Sequence, residues 1–248
     1  MTIALVHGNP ETAAIWDELR AQLGRDDVVC LSPPGFGAPA PAGFGATSDE
    51  YVAWLAGEVE KLQGPVDAVG HDWGGGHVMR LACERPDLIR SWTTDIAGAF
   101  DPEYVWHDFA QVWQTPGAGE DAIAAMLSQP QPDRIAQFMG LGMSRTAAQS
   151  CAAAGDADMG RCILALYRSA AQPAMSEFGK RLHKARARPG LVIVATEDHF
   201  TGGEVLARRS AEKGGAKVAM LPGLGHWWMC QDPAKGAEVL REFLDGLG

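Results

Sequence analysis

A carboxylate stands between glycines in the segment Gly70–Gly74, which reads Gly-His-Asp-Trp-Gly. The apolar run Val66–Val69 before it predicts a short buried strand, and His77–Arg85 after it predicts a helix. Gly-x-nucleophile-x-Gly at a sharp strand-to-helix turn is the spacing of a nucleophile elbow, here with Asp72 at its centre. An ionised carboxylate needs no base to attack carbon, and it forms an ester that a second step must hydrolyse. The alternative is an ordinary glycine-rich turn in which Asp72 caps the helix.

A histidine follows another predicted strand. Gly223–Trp227 reads Gly-Leu-Gly-His-Trp and comes directly after the strand predicted over Lys217–Leu221. His226 is therefore expected at the carboxyl end of that strand, where open α/β sheets place their sites. The order nucleophile, acid, histidine along the chain is the order of elbow enzymes. This favours His226 as the general base that activates water against an ester of Asp72, rather than as a structural or solvated histidine.

A third motif ends the first predicted strand, Ile3–Val6. It is His7–Pro10, His-Gly-Asn-Pro, in which the glycine lets the backbone approach a substrate closely. The backbone N–H groups of Asn9 and Trp73 could together form an oxyanion hole. A simple strand-ending turn is the alternative for this motif.

The pattern of elements predicts how these motifs are positioned. Short apolar runs alternate with helical patterns, which is typical of an α/β fold with a parallel sheet covered by helices. Further strands are expected over Val28–Leu31, Leu88–Ile96 and Leu191–Val194. Helices are expected over Ala13–Leu23, from Ser48 as the cap to about Leu62, around Glu204–Lys213, and from Pro233 to Leu247. Residues 97–188 contain no convincing strand, so we expect a core of residues 1–96 and 189–248 with a helical insertion over 97–188. That insertion is a natural lid over the site or a passive helical subdomain.

Composition limits the class of protein. A chain of 248 residues fits one domain, or one domain with an insertion. The net charge of −10 and the lack of a Lys/Arg cluster argue against a nucleic acid or an anionic membrane as partner. Thr2–Val6 is too short and uncharged for a signal peptide, and no run approaches the roughly 20 apolar residues that cross a bilayer. The five scattered cysteines form no Cys-x-x-Cys, which predicts reduced thiols and a cytoplasmic protein.

Four motifs in order and spacing resemble those of the α/β-hydrolase superfamily, in its aspartate-nucleophile branch of epoxide hydrolases and haloalkane dehalogenases. The motifs are His7–Pro10, Pro34–Gly37, Gly70–Gly75 and Gly225-His226. The resemblance covers nearly the whole chain, with residues 97–188 matching the helical cap of the family, although the chain begins at what is usually the third strand. It implies a two-step hydrolase that needs no cofactor or metal. The implied partners are a small apolar substrate and water, and the protein would be a monomer or a homodimer.

The resemblance leaves two candidates for the acid that orients His226. The family places this acid after the strand that precedes the histidine, and Val194–Phe200 fits the family pattern in two registers. One register puts Asp198 at the acid position, and the other puts His199 there, which cannot accept the imidazole N–H. Some haloalkane dehalogenases take the acid from the end of the strand after the elbow helix, where Asp95 stands. We favour Asp198 and keep Asp95 as the alternative.

Groups that would activate the electrophile separate two substrate classes. Epoxide hydrolases use two cap tyrosines that donate hydrogen bonds to the epoxide oxygen, and Tyr167 in Leu-Tyr-Arg resembles one of them. Phe109 occupies the position expected for the second tyrosine, and phenylalanine cannot donate. Tyr104, Trp106 or His107 would have to replace it.

Haloalkane dehalogenases instead hold the departing halide with N–H donors. In one branch these belong to the asparagine of His-Gly-Asn-Pro and the tryptophan after the nucleophile, and Asn9 and Trp73 match both. Because this tryptophan also occurs in epoxide hydrolases, only Asn9 discriminates. Trp113 and Tyr167 could simply pack the cap against the core. We predict an epoxide hydrolase-like activity, with haloalkane dehalogenase and then another carbon–heteroatom hydrolysis as alternatives. A catalytically silent ligand-binding protein is the alternative from a different class.

Overall fold

Six parallel strands form the central sheet of the structure, a computed structural model that describes all 248 residues. The strands are β1 (Thr2–Val6), β2 (Val28–Leu31), β3 (Val66–Gly70), β4 (Ser91–Thr94), β5 (Gly190–Ala195) and β6 (Lys217–Leu221). They lie in the order β2-β1-β3-β4-β5-β6, and every neighbouring pair is parallel. The α/β fold class predicted from the alternating patterns is confirmed.

Twelve α-helices and four short 3-10 helices connect the strands. The α-helices are α1 (Asp17–Leu23), α2 (Ser48–Glu60), α3 (Trp73–Glu84), α4 (Asp108–Gln114), α5 (Ala118–Ser128), α6 (Gln131–Gly140), α7 (Arg145–Ala154), α8 (Ala157–Ser169), α9 (Ala174–Gly179), α10 (Gly203–Gly214), α11 (Trp228–Gln231) and α12 (Pro233–Asp245). The 3-10 helices are Ala13–Trp16, Pro86–Leu88, Ala97–Phe100 and Leu182–Ala187. None of the helices combines the length and the apolar character that crossing a bilayer requires.

Helices cover both faces of the sheet. On one face α1 packs against α12, and Trp16 and Leu240 are fully buried there. On the other face lie α2, α3 and α10, with Tyr51 and Met79 fully buried. Strands β3 and β5 are buried along their whole length, as expected for central strands of a parallel sheet that is covered on both sides. The sheet is therefore a rigid support for the loops at its edges.

Residues 97–188 contain helices α4 to α9 and no strand. Within this segment α4 packs on α5 and α8, and α6 packs on α7. Its two terminal 3-10 helices, Ala97–Phe100 and Leu182–Ala187, pack against α10 and α3, which belong to the layer on the sheet. The helical content agrees with the expectation for this segment, and its division from the core as a cap stays a prediction.

The cap of α2 differs from the sequence expectation by one residue. Thr47, and not Ser48, precedes the first helical residue, and its side chain accepts the backbone N–H of Glu50. The Glu50 carboxylate in turn accepts the backbone N–H of Thr47 at 3.1 Å. This reciprocal capping box fixes the helix start at the threonine, because both partners must lie three residues apart.

Two other boundaries near the elbow also differ. The helix expected from His77 begins at Trp73, because the elbow leads directly into its first turn. The strand expected over Leu88–Ile96 is only β4, because Pro86–Leu88 forms a 3-10 turn before it. The shorter strand leaves Asp95 just beyond the sheet, in the loop that follows β4.

Candidate active site

Five loops bring polar residues to one edge of the sheet. Because all six strands are parallel, the residues that follow their carboxyl ends lie at the same edge. The polar residues in these loops are Asn9 after β1, Asp72 after β3, Asp95 after β4, Asp198 after β5 and His226 after β6. The motifs that the sequence analysis singled out separately therefore meet in space.

Asp72 occupies a tight turn with an unusual backbone conformation. Its φ is +48° and its ψ is −130°, a region that residues with a side chain rarely adopt. The glycines around it permit close backbone contacts: a Cβ on Gly74 would lie 2.2 Å from the carbonyl oxygen of Val6, and one on Gly70 would lie 2.4 Å from that of Gly74. The turn is therefore a sharp elbow that presents the Asp72 side chain at the start of α3.

The two oxygens of the Asp72 carboxylate have different neighbours. Oδ2 accepts the backbone N–H of Asn9 at 3.0 Å, and Oδ1 lies 3.8 Å from Nε2 of His226. The backbone amide of Trp73 also favours the ionised form of this carboxylate. A Cβ on Gly8 would come within 2.1 Å of Oδ2, so only glycine leaves room for the carboxylate here. Oδ2 is thus held by the backbone amide of Asn9, and Oδ1 faces the imidazole of His226.

Burial shifts the ionisation of this carboxyl group. It raises the pKa of Asp72 to about 6, against an ordinary value of 3.8. Nearby His226 opposes the shift, because a positive imidazole favours the carboxylate. At pH 7 Asp72 is still mostly ionised, which is the form that can attack carbon.

His226 is oriented by Asp198. Its Nδ1 lies 2.8 Å from Oδ2 of Asp198, and Oδ1 of Asp198 accepts the backbone N–H of Phe200 at 2.8 Å. Burial alone would lower the pKa of His226, but the charge of Asp198 raises it. Burial alone would likewise raise the pKa of Asp198, but His226 lowers it. A buried carboxylate and imidazole therefore stabilise each other's charged forms and leave Nε2 directed towards Asp72.

Asp95, the alternative acid, lies elsewhere. Its Oδ1 accepts the backbone N–H of Asp72 at 3.0 Å. Its Oδ2 lies 2.5 Å from Nδ1 of His71 and accepts the indole N–H of Trp228 at 2.8 Å. Asp95 has no hydrogen bond or ion pair with His226, so the alternative that the sequence analysis kept is not supported. Asp95 does follow the strand after the elbow helix, as predicted, but its carboxylate pairs with His71.

Glu11 and His71 complete a second buried network that the sequence analysis missed. Nε2 of His71 lies 3.1 Å from Oε1 of Glu11, which also accepts the indole N–H of Trp227. Oε2 of Glu11 accepts the backbone N–H of Gly8 at 2.9 Å. The signal for this network was adjacency, because Glu11 directly follows the His-Gly-Asn-Pro motif and His71 directly precedes Asp72.

The charges of this network follow from its geometry. Burial alone would lower the pKa of His71, but Asp95 and Glu11 on its two nitrogens raise it well above the ordinary value. Burial alone would raise the pKa of Glu11, but His71 lowers it to about 2. A protonated imidazole therefore lies between two carboxylates, with its ring centre 4.5 Å from that of His226.

Glu11, His71 and His226 have ligand atoms within 4.8 Å of one another, close enough to consider a metal ion. A metal ligand must offer a free lone pair, which a protonated imidazole lacks. Both nitrogens of His71 already face carboxylates, and Glu11 already accepts the N–H groups of Gly8 and Trp227. The donor set fits a hydrogen-bond network better than a metal centre.

A cavity of about 620 Å³ opens at Asp72. Fourteen of its 24 lining residues are hydrophobic, so it suits a largely apolar molecule. Seven of the predicted site residues line it: Asn9, Asp72, His107, Phe109, Trp113, Tyr167 and His226. Asp95, Asp198, Trp73 and Trp106 are not among the lining residues.

Trp73 and Trp106 form an aromatic cluster with Tyr167. The rings of Trp73 and Trp106 stack with their centres 5.7 Å apart, and Tyr167 meets Trp73 edge-on at 5.2 Å. The indole N–H of Trp106 is buried without a hydrogen-bond partner. These contacts fix the orientation of the Tyr167 ring at the cavity.

Two of the three candidates to replace the second tyrosine are otherwise engaged, and the third, Trp106, does not line the cavity. Tyr104 donates its hydroxyl to the carbonyl oxygen of Phe200 at 2.6 Å. Nδ1 of His107 accepts the backbone N–H of Ala110 at 3.3 Å and so caps α4, and burial lowers the pKa of His107 to about 4. Phe109 is 57% exposed and has no donor.

Tyr167 and Asn9 are two donors of different kinds at the cavity. Tyr167 is the only one of the three tyrosines that lines it. Burial and the Asp72 carboxylate raise the pKa of Tyr167 well above its ordinary value, so the phenol keeps its proton. Both polar atoms of the Asn9 side chain are buried without a hydrogen-bond partner. A departing oxygen or halide could accept a hydrogen bond from either side chain.

Comparison with known proteins identifies the family of this chain. A family model described as "Alpha/beta hydrolase family" matches residues 3–239. Haloalkane dehalogenase 2 of Mycobacterium tuberculosis is 36% identical over 94 residues, which are 36% of this chain and 32% of that protein. The matched segment thus spans about a third of the length of this curated relative.

Solved structures share the fold over nearly the whole chain. An E-2-(acetamidomethylene)succinate hydrolase superimposes with a TM-score of 0.73 at 16% identity, covering 98% of this chain and 91% of that one. A loop variant of the haloalkane dehalogenase DbeA from Bradyrhizobium elkanii superimposes with a TM-score of 0.72 at 18% identity, covering 99% and 89%. At these identities the likeness concerns the fold alone.

Proposed function

Since the chain belongs to the alpha/beta hydrolase family, we propose that it hydrolyses a carbon–heteroatom bond through an ester formed at Asp72. The arrangement that carries this proposal is the divided environment of the Asp72 carboxylate. Oδ2 is held by the Asn9 N–H at 3.0 Å, whereas Oδ1 lies 3.8 Å from Nε2 of His226. A nucleophile that forms an ester needs one free oxygen and one oxygen that can take negative charge in the second step.

In the first step Oδ1 of Asp72 attacks the electrophilic carbon. The bond from that carbon to its heteroatom breaks, and the heteroatom leaves with the electron pair. Asp72 becomes an ester whose carbonyl oxygen, Oδ2, remains at the Asn9 amide. The helices that line the cavity, α4 to α8, would act as the cap that keeps bulk water away from this step.

In the second step His226 takes a proton from water at Nε2. The resulting hydroxide attacks the ester carbonyl carbon, and the negative charge on Oδ2 is stabilised by the Asn9 N–H. Asp198 stabilises the imidazolium through Nδ1. Collapse of the intermediate breaks the ester bond, and the departing alcohol takes the proton from His226. Asp72 is left as a carboxylic acid, and it returns to the carboxylate by passing its proton through His226 to solvent.

An epoxide is the substrate class that we propose first. Opening an epoxide places negative charge on an oxygen that stays attached to the substrate, and a buried phenol is a suitable donor to that oxygen. Tyr167 lines the cavity and keeps its proton because burial and Asp72 raise its pKa. The single tyrosine departs from the two that the resemblance implies, and the Trp73 and Trp106 rings hold it in place.

A haloalkane is the second candidate. The side-chain amide of Asn9 lines the cavity and has no hydrogen-bond partner, so its N–H is free to hold a halide. The partial match to haloalkane dehalogenase 2 of M. tuberculosis supports this candidate. The two candidate reactions share Asp72, His226 and Asp198, and differ only in the side chain that donates a hydrogen bond to the leaving atom.

Trapping of the ester tests the proposal. His226→Gln removes the base of the second step, so incubation with 1,2-epoxyoctane or 1-bromooctane should leave one covalent adduct, seen by intact mass and mapped by peptide to Asp72. The matched control Asp72→Asn should give no adduct with either compound. In the unsubstituted enzyme, diol formation without halide release identifies an epoxide hydrolase, and bromide release identifies a dehalogenase. Absence of an adduct and of turnover across a panel of both classes would instead favour a catalytically silent binding protein.

A further inference from the structure

The cavity at Asp72 extends into a part bounded by α5, α6 and α7. The lining of this part is largely apolar and includes Ala125, Met126, Leu127, Phe138 and Ala152. Among all lining residues other than histidines, only Asp72 and Arg134 carry a formal charge. A single guanidinium therefore interrupts a largely apolar wall.

Arg134 has no acidic partner. None of the ion pairs in the structure includes it, and its Nε is buried without an acceptor. By contrast, Arg90 and Arg168 each bind a carboxylate at 2.7 Å. A half-buried guanidinium with no acceptor gains more from an incoming anion than one that is already paired.

The position of Arg134 is built into the helices around it. Its Nη1 lies 2.9 Å from where a Cβ on Gly155 would stand, so the glycine at the end of α7 makes room for the guanidinium. Cδ2 of Leu127, at the end of α5, lies 3.5 Å from the same point. The guanidinium thus lies between two helix ends rather than extending freely into solvent.

Two amides accompany Arg134 in this part of the cavity. Gln129 lines the cavity, and its Oε1 is buried without a partner. Gln137 also lines it, three residues after Arg134 on α6, where residues at this spacing share a helix face. Either amide can turn its NH₂ group inward. This part of the cavity therefore combines the unpaired N–H groups of Arg134 with two amides that can donate or accept hydrogen bonds.

We infer that the cavity takes an amphipathic substrate with a carboxylate at one end, which Arg134 binds. The planar guanidinium fork matches the two oxygens of a carboxylate, and the apolar wall fits an alkyl chain. The Asp72 carboxylate repels a second negative charge, so the carboxylate end of the substrate is directed to Arg134. The other end then lies at Asp72, and its assignment as the reactive end rests on the proposed function.

Binding of unreactive probes tests this inference without any chemistry. Octanoate and octan-1-ol both have eight carbons, but octanoate ends in a carboxylate and octan-1-ol in a neutral hydroxyl. Calorimetry with the full-length protein gives Kd for both. We expect octanoate to bind at least about 10-fold more tightly than octan-1-ol, since charge-assisted bonds are the stronger ones. Arg134→Gln should raise the Kd for octanoate by about 10- to 100-fold and change the Kd for octan-1-ol by less than about 2-fold.

Two further variants sharpen the comparison. Arg134→Lys keeps the charge and loses the fork, so it should give an intermediate loss. Arg145→Gln, an exposed arginine on α7 that does not line the cavity, should leave both Kd values unchanged. Equal binding of the two probes by the unsubstituted chain, no measurable octanoate binding, or equal losses in Arg134→Gln and Arg145→Gln would each overturn the inference. The first two results need no variant, so misfolding cannot explain them.

The outcomes also separate this inference from the proposed function. Octanoate binding that depends on Arg134, together with no trapped ester in His226→Gln, overturns the function and leaves the anion site. A trapped ester from 1,2-epoxyoctane, with no preference for octanoate over octan-1-ol, overturns the anion site and leaves the function.

Discussion

Asp95 holds the Asp72 main chain in place: its Oδ1 accepts the backbone N–H of Asp72 at 3.0 Å. The other oxygen of Asp95 is fixed by His71 and by the indole of Trp228. Because Asp72 has a φ of +48°, its conformation needs such support from the surroundings. The second network thus acts on the main chain of the elbow, whereas His226, held by Asp198, faces the Asp72 carboxylate.

Removing the charge of Asp95 should destabilise the fold. Asp95→Asn keeps the shape of the side chain but leaves buried His71 with Glu11 as its only carboxylate. Breaking a buried pair costs about 3–5 kcal/mol, and we expect a loss of this size in the free energy of unfolding from urea titration at pH 7. Asp121→Asn is the control, because Asp121 is exposed on α5 and makes no ion pair. A loss below about 1 kcal/mol in Asp95→Asn would contradict the charged network.

Removing the charge of Asp198 should slow the second step more than the first. Asp198 fixes the tautomer of His226 through Nδ1 at 2.8 Å, and loss of this role in a comparable triad costs about 10⁴-fold. Asp198→Asn should therefore accumulate the Asp72 ester, with a burst of epoxide consumption, or of bromide release from 1-bromooctane, before a slow steady state. Glu197→Gln changes the adjacent, exposed carboxylate and should behave as the unsubstituted enzyme. Equal slowing of the burst and the steady state would count against this assignment.

Asp72 should make the protein less stable at neutral pH than an uncharged residue would. The pKa of Asp72 in the fold is about 6, above its ordinary value of 3.8, so the folded chain binds more protons between these values. Stability therefore falls as pH rises through that window, and the loss is complete above pH 6. A pKa difference of about two units corresponds to about 3 kcal/mol in the free energy of unfolding. Asp72→Asn should be more stable than the unsubstituted chain at pH 8 by up to that amount, and equally stable near pH 3.5. Urea titrations at both pH values measure this, and a difference that is independent of pH would refute it.

Gly8 should tolerate no side chain. A methyl group there would lie 2.1 Å from Oδ2 of Asp72 and would push the carboxylate away from the Asn9 amide. Gly8→Ala should lower kcat by at least about 100-fold, the effect of misplacing a reacting group by about 1 Å. Gly57→Ala is the matched control, because no atom lies within 4 Å of its Cβ on α2. That variant should keep full activity and gain about 0.5–1 kcal/mol of stability.

The positions of the main chemical groups could be predicted because each follows a strand with a clear pattern. Lys217–Leu221 was predicted with the bounds that the structure has, and this placed His226 at the end of β6. The parallel sheet then brings Asp72, Asp198 and His226 together, since their strands end at one edge. Local sequence signals are sufficient when a functional residue follows closely after a strand with a clear pattern.

The partners of the carboxylates could not be predicted in the same way. Asp95 and Asp198 both end strands near the elbow, and the sequence alone does not say which one faces His226. Asp95 pairs with His71, which leaves Asp198 as the partner of His226. The charge of His71 in turn depends on Glu11, which comes from a third loop. The use of the Tyr104 hydroxyl by the Phe200 carbonyl is likewise a contact across 96 residues. Such contacts depend on side-chain packing between loops, which strand and helix patterns do not specify.

Two substitutions at the cavity should separate the epoxide and halide candidates. Tyr167→Phe removes the phenol but keeps the ring that packs on Trp73, so an epoxide substrate should lose about 10²–10³-fold in kcat. The same variant should leave the release of bromide from 1-bromooctane nearly unchanged. Asn9→Leu keeps the backbone N–H that holds Asp72 and removes the side-chain amide, so it should slow bromide release and spare epoxide opening. Stopped-flow measurement of the first step with both compounds gives the four rates. Equal losses for both compounds in both variants would mean that neither side chain receives the leaving group, and that both act only by shaping the cavity.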